Sequence, residues 1–321
     1  MRAKPAWRGA EFWHSAASLQ FQDRHRDQID RTNIAGTEHA LQLAARADVR
    51  CFNMISTAYV AGLRGGFIPA GPAQPGHENN HYERSKVQAE ARVVGSGLRH
   101  RILRPGVVIG HSTTKHSMSD DGFYGLIRNL IKYHRVLNRT EEGLGDRHVA
   151  SLVAQPAGGV DLVPVDWVAG EAVGLSIADA AEGYFHLTNP EPPIVGDSLT
   201  ACFVSAGFPP PEFVDTPDDL DDIDRKLYER MTFYNSYMVN PKVFDRESVR
   251  STLGESVRST LGESVRSTLG ESVRSTFGES VRSTLGQTAP LPPLDYFALL
   301  EFGRVYAEQY RMSRAVSVPQ R

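Results

Sequence analysis

The sequence predicts an α/β fold built on a parallel sheet, because short apolar runs alternate with segments of helical periodicity. Glu11 to Ala17 and Arg50 to Thr57 each read as a strand that closes on small or hydroxyl-bearing residues. A third run, Arg99 to Ile109, follows another helical segment and carries Arg104-Pro105-Gly106 within it. Parallel neighbours need a crossover between them, and this order supplies one each time.

Between the first two strands, Ile29, Asn33, Gly36, Thr37, Ala40, Leu41 and Ala44 recur at three- and four-residue spacing, which predicts a helix over Arg26 to Ala47. Tyr82 to Val94 is the next predicted helix. Beyond Gly110 the expected order is a helix near Phe123 to His134, a strand over Val160 to Val165, a helix from Asp166 and a strand over Tyr184 to Leu187. Pro209-Pro210-Pro211 then interrupts the chain. Asp215 to Asp224 is acidic but lacks the glycine turn and closing glutamate of a calcium loop, so it reads as a solvated helix start.

With 321 residues, 40% hydrophobic and 23% charged, the chain can bury a large core in one domain or two. Its net charge of −3, with mixed signs throughout, gives no basic stripe and argues against nucleic acid or an anionic membrane surface. Two distant cysteines, Cys51 and Cys202, make neither a disulfide framework nor a metal-ligand set, which points to a reducing, cytoplasmic setting. No leader or membrane-spanning run is expected.

Residues 247 to 286 are five tandem copies of Glu-Ser-Val-Arg-Ser-Thr-Leu-Gly, with Phe277 the single substitution. On a helix the Val and Leu recur every four residues, so the apolar stripe winds around the rod instead of facing one core. Each copy also places a glycine that costs about 1 kcal/mol in a helix interior. The expectation is a duplicated insertion near the surface, mobile and open to proteolysis. The chain therefore divides into 1–110, 111–246 with returning sheet elements, the repeat at 247–286, and a helix and tail at 287–321.

The chemistry-bearing pattern is Ser56-Thr57 at a strand end, followed by Tyr82-Glu83-Arg84-Ser85-Lys86. A carbonyl oxygen gains charge as hydride arrives, so its reduction needs a hydrogen-bond donor and a proton source in fixed positions. Thr57 supplies the first and Tyr82 the second. A free phenol titrates near 10, and Lys86, one helical turn along, lowers that by stabilising the phenolate. Eleven tyrosines and six lysines predict about 0.2 Tyr-x-x-x-Lys pairs by chance, so the motif alone is weak. Context strengthens it: Ser56-Thr57, Tyr82-Lys86 and Arg104-Pro105-Gly106 all fall at the carboxyl edge of one sheet, where such folds bind ligands.

These segments, with His14 to Leu19, Asn33 to Thr37, Asn80 to Lys86 and Val160 to Asp166, resemble the extended short-chain dehydrogenase/reductases. The likeness is specifically to the branch that includes thioester reductase domains and fatty acyl reductases. The resemblance covers residues 10 to 250 and resumes near 287 to 305. It implies Thr57, Tyr82 and Lys86 as catalytic residues. It also implies a cofactor-binding set of Ser15, Ala16, Ala17, Asn33, Ser56, Tyr82, Lys86, Pro105, Val107 and Val108. NADP or NAD is the implied cofactor, and an acyl thioester or its aldehyde the substrate, taken by a small C-terminal lobe. The fold expected by this likeness is a partial Rossmann-like parallel sheet lacking its first strands and glycine-rich loop, since Met1 falls about 70 residues late against the family pattern. Gly62-Leu63-Arg64-Gly65-Gly66 comes nearest to such a loop but follows the catalytic strand, so it reads as a surface turn. Phe12-Trp13 is then expected at an open sheet edge.

Other readings compete. A sugar-nucleotide epimerase or dehydratase uses the same Thr, Tyr and Lys positions. A catalytically silent fragment or binding module is the reading that the absent phosphate loop favours. His77-Glu78-Asn79-Asn80-His81 matches the zinc-protease pattern, but Pro75-Gly76 and two asparagines disfavour the helix it requires, so no metal is expected.

Overall fold

Parallel pairing organises the first part of the chain. In the computed structural model, which describes residues 7–20, 23–254, 291 and 293–316, the strands Glu11–His14, Cys51–Ile55, His100–Pro105 and Gly183–Leu187 lie side by side in that order. Every adjacent pair is parallel. Glu11–His14 is therefore an edge of this sheet among the described residues, and Trp13 on it is 41% exposed. The described residues fall into two units. One lies within Met1–Gly106, Asp166–Thr188 and Phe244–Leu291, and the other within Val107–Val165, Asn189–Val243 and Pro292–Arg321.

In the first unit the pleat sends alternate residues to opposite faces. Phe52, Met54 and Ile102 face Leu41, Ala44, Ala89 and Val93 of the crossover helices, and the two alanines allow close approach. Burying a side chain such as Phe52 contributes about 2–3 kcal/mol. The other face is polar and still buried. Glu11 accepts hydrogen bonds from Asn53 (2.8 Å), Arg101 (2.9 Å) and Ser176 (2.6 Å), and Arg101 reaches Asp179 at 3.0 Å. The first three sheet strands are thus joined to one another through side chains as well as backbone.

The helix expected over Arg26 to Ala47 is not uniform. Arg26–Ile29 and Gly36–Ala47 are α-helical, and Asp30–Ala35 between them is a π-helical segment. The strand expected over Arg99 to Ile109 is two strands. Pro105 has no N–H to continue a ladder, and the chain turns at Gly106, so Val107–Ile109 pairs with Leu162–Pro164 in the second unit. Val107 N–H donates to the Asp161 carbonyl at 2.8 Å.

The second unit is built on the helices Gly122–Thr140, Val195–Ala206 and Tyr296–Val316, around a core that includes Tyr124, Ile127, Phe203 and Phe302. Two helices approach closely at Gly303, where an added Cβ would stand 2.1 Å from Ser205 Oγ. Asp221 caps the helix Asp222–Arg230, as acids at a helix start should. Asp224 corrects the solvated reading. It is 3% exposed and accepts from the Ser151 N–H at 2.9 Å, and its other oxygen pairs with His148 Nε2 at 2.7 Å. No described helix is long and apolar enough to cross a membrane.

The first repeat copy also differs from expectation. Glu247–Leu253 is a helix with Val249 1% and Leu253 4% exposed, so it packs instead of lying open on the surface. Ser248 Oγ donates to the Tyr184 carbonyl of the sheet at 3.1 Å, and Arg246 pairs with Glu171 and donates to the Thr188 carbonyl. Residues 255 to 286, the remaining copies, lie outside the described residues. Because Leu253 is a core residue, Leu253→Ala is expected to lower the unfolding free energy by about 2–4 kcal/mol. Urea denaturation of the two chains measures this, and an unchanged midpoint would show the helix undocked.

Candidate active site

Thr57 follows the strand Cys51–Ile55 directly, where the chain leaves the sheet through the turn Ala58–Ala61. Its Oγ1 accepts from the Tyr59 N–H at 3.2 Å, which fixes the rotamer and leaves the hydroxyl proton to donate outward. Ser56 beside it is 4% exposed, and its Oγ has no partner. Gly62 ends the turn at φ +60°, against the carbonyl of His77, which a Cβ would meet at 1.9 Å. Leu63 N–H donates to that same carbonyl at 2.7 Å. The segment 62–66 feeds the strand Gly66–Ile68 and not a helix, so it has no helix N-terminus to receive a phosphate.

Tyr82 lies in the first turn of the helix His81–Val94, whose start is set by reciprocal capping. Asn80 Oδ1 accepts from the Glu83 N–H at 2.9 Å, while Glu83 accepts from the Asn79 N–H at 2.7 Å. The helix begins at His81, so His77 and His81 are not one helical turn apart. His81 is engaged with Asp30 at 2.7 Å. The zinc-protease pattern therefore has no structural counterpart.

Lys86 is 3% exposed, and its Nζ donates to the Ile55 carbonyl at 2.8 Å, which brings the ammonium to the strand end that carries Ser56 and Thr57. Burial pushes its pKa down to about 8, and the Glu90 carboxylate one turn along opposes that shift. At neutral pH the side chain stays charged.

Asn33 is held inside the π-helical segment, 2% exposed. Its Oδ1 accepts from the Ser18 N–H at 2.7 Å, and its Nδ2 donates to the Ser18 carbonyl (3.1 Å) and to Ser85 Oγ (2.9 Å). Ser85 in turn donates to the Tyr82 carbonyl at 2.6 Å. One side chain thus ties the segment after the edge strand to the first turn of the Tyr82 helix. An asparagine on an otherwise apolar helical face was the sequence signal, since a buried amide demands partners. The π geometry had none, and such segments recur at functional sites.

Ser15 and Ala16 are exposed and Ala17 half-buried where the chain leaves the edge strand, and Pro105 is buried at the end of its own strand. Val107 and Val108 are half-buried in the second unit. Three residues without an assigned role also stand at this sheet end. His14 Nε2 lies 3.0 Å from Thr37 Oγ1, and burial, then repulsion from Lys86, lowers its pKa. Glu90 and Arg104 form a buried bidentate pair, at 3.0 Å between Nε and Oε1 and 2.7 Å between Nη2 and Oε2. A charged residue inside the run Ile102-Leu103-Arg104-Pro105 was legible as a buried charge in need of a partner.

Residues 10–172 match a family profile described as male sterility protein, an NAD-binding family. Among solved structures, the chain is similar to the terminal R domain of the myxalamid PKS-NRPS biosynthetic pathway. The identity is 22%, the match covers 93% of this chain and 67% of that one, and the TM-score is 0.60. A short-chain dehydrogenase/reductase superfamily protein from Agrobacterium tumefaciens with bound NAD matches at 19% identity, 96% and 82% coverage and TM-score 0.56. The UDP-glucuronic acid 4-epimerase of Bacillus cereus, in complex with NAD, matches at 13% identity, 91% and 74% coverage and TM-score 0.53. At these identities the likenesses show the α/β Rossmann-like fold. No curated protein is similar enough in sequence to match.

Lys86 has a depressed pKa and so disfavours folding while charged. The unfolded chain binds the extra proton between about 8 and the ordinary lysine value, so stability rises with pH across that window. Lys86→Met is accordingly expected to stabilise the fold by about 1–3 kcal/mol at pH 7. That advantage should fade as the pH rises past 8. Denaturant titrations at pH 7 and pH 10 measure the two differences, and a destabilised variant at both would contradict the assignment.

Proposed function

Because the chain belongs to the male sterility protein family, the fatty acyl reductase-like branch of the NAD-binding reductases, we propose that it reduces an acyl thioester, or the aldehyde derived from one, with NADPH or NADH. The observation that carries this reading is the hydrogen bond from Lys86 to the Ile55 carbonyl, which sets a buried ammonium of the Tyr82 helix beside the strand end of Thr57.

The residues present fit a nicotinamide nucleotide in three respects. Lys86 commits one of its three N–H donors to the protein, Ser56 Oγ is buried without a partner, and Ser15 and Ala16 are exposed at the end of the edge strand. In this reading Lys86 and Tyr82 would hold the ribose hydroxyls, and Ser15, Ala16, Ala17, Ser56 and Asn33 would form the rest of the cofactor site in the first unit. Pro105 completes the proposed cofactor set within the first unit. When bound, the cofactor supplies the hydride.

The chain's own groups do the rest. Thr57 donates its hydroxyl proton in a hydrogen bond to the substrate carbonyl oxygen as that oxygen gains charge. Tyr82 passes its phenolic proton to the same oxygen, which gives the alcohol from an aldehyde, or from a thioester a hemithioacetal that expels the thiol and leaves the aldehyde. The ammonium of Lys86 stabilises the phenolate left behind, and Asn33 keeps the helix in place through Ser85. A sugar-nucleotide epimerase would use the same three positions, but the family match favours the acyl-reducing branch.

Removing the phenolic proton should remove the chemistry. Tyr82→Phe is expected to lower acyl-thioester-dependent NADPH oxidation at least about 100-fold, and unchanged turnover would take Tyr82 out of its role. Fluorescence titration with NADPH should saturate in the micromolar range. No binding up to millimolar would favour a silent fragment or binding module. Since Lys86 loses its charge as the pH passes about 8, kcat/KM should fall above that pH, and a flat profile to pH 10 would count against the ammonium.

A further inference from the structure

Lys86, Glu90 and Arg104 bring three charges into the interior at one end of the sheet, each no more than 3% exposed. Tyr82, Lys86 and Glu90 follow one another at four-residue spacing along one helix, so they share a face. Glu90 is paired through both oxygens with Arg104, at 3.0 and 2.7 Å. Arg104 is itself fixed, since Nη1 donates to the Gly71 carbonyl at 2.9 Å and its guanidinium lies 4.6 Å from the centre of the Tyr184 ring. As a mere bolt between helix and strand, a buried ion pair has little advantage over apolar side chains of similar size. Its carboxylate, however, also acts on a second cation, the Lys86 ammonium one helical turn back on the same helix.

We propose that the Glu90–Arg104 pair is a positioning element for Lys86, with Glu90 keeping the ammonium charged at the strand end of Thr57 and Arg104 fixing Glu90 for that task. This rests on reading Lys86 as the charged partner of Tyr82. Among the described residues, the groups that act on Lys86 are Glu90 on its own helix, His14 from the edge strand and the Ile55 carbonyl, and Tyr82 stands one turn back on the same helix face. His14 is neutral at working pH, because burial and Lys86 both lower its pKa. Glu90 is therefore the counter-charge that acts on the ammonium, and Arg104 holds Glu90 in place while drawing off part of its effect.

Carbon-13 NMR of lysine-labelled full-length protein tests this without turnover, with the Lys86 signal assigned by its loss in Lys86→Met. The wild-type midpoint is expected at about 8. Glu90→Gln should lower it by about one unit, because the ammonium then faces an unpaired guanidinium. Arg104→Gln should raise it by a smaller amount, because the carboxylate loses its competitor. A purely structural role predicts a different pattern: both changes would loosen the packing and move the midpoint up toward the ordinary lysine value. An unchanged or raised midpoint in Glu90→Gln overturns the proposal. If either single variant fails to fold, Glu90→Gln/Arg104→Gln keeps the hydrogen-bonding shape without the charges. Its midpoint should fall below the wild type, and a midpoint at or above the wild type overturns the proposal. Should Tyr82→Phe retain activity, the reductase reading fails while the Lys86 titration still reports on the pair.

Discussion

Lys86 carries an ammonium group into the interior, and the structure around it is arranged to tolerate that charge. Its Nζ is anchored on the Ile55 carbonyl, and a carboxylate stands one helical turn away. An isolated buried cation costs several kcal/mol, so the position survives only if other elements are held in register with it. The helix must start at His81, which the Asn80 and Glu83 caps ensure. The strand Cys51–Ile55 must end where the ammonium arrives, and its ladder with His100–Pro105 sets that end. Arg104 must enter from the next strand to hold Glu90.

The same register explains why polar side chains at this sheet end are so fully engaged. Asn33 reaches Ser85 and both backbone groups of Ser18 from a π-helical segment. That segment leaves its neighbours α-helical on either side and gives Asn33 a setting that an unbroken helix would not. Thr37 Oγ1 donates to the Asn33 carbonyl at 2.6 Å, so the hydroxyl remains an acceptor for His14. His14 Nε2 then carries the proton in the neutral ring. A chain of fixed donors and acceptors runs from the edge strand to the Tyr82 helix, which is the kind of support a preorganised site needs.

The opposite face of the sheet shows that buried polarity here is not confined to the candidate site. Glu11, Asn53 and Arg101 bind one another across three strands and reach the helix Val165–Ile177 through Ser176. The first repeat copy is likewise absorbed into the fold by two apolar residues and a serine bonded to the sheet. Tandem duplication alone does not make a segment peripheral. Its first copy docks because Asp245 and Arg246 before it are tied to the strand Gly183–Leu187 and the helix Val165–Ile177. The Asp245 carbonyl accepts from His186, and Arg246 is bound to Glu171.

The order of strands and helices was legible in the sequence because parallel α/β architecture leaves a period-by-period trace: apolar runs for strands covered on both faces, and three- and four-residue spacing for the helices that cover them. The placing of Thr57, Tyr82 and Lys86 at strand end and helix start was equally legible, since it follows from local spacing. The π-helical segment at Asn33, the break after Pro105 that carries Val107 and Val108 into a different sheet, and the burial of Asp224 and of the first repeat copy were decided by tertiary structure. Each depends on a partner far along the chain: Ser85 for Asn33, Leu162 for Val107, His148 for Asp224 and Tyr184 for Ser248. Local pattern specifies which residues form an element and which face is apolar. Which buried charge meets a partner from another element is set only when distant strands and helices come together, and that meeting puts Lys86 on the Ile55 carbonyl and Arg104 on Glu90.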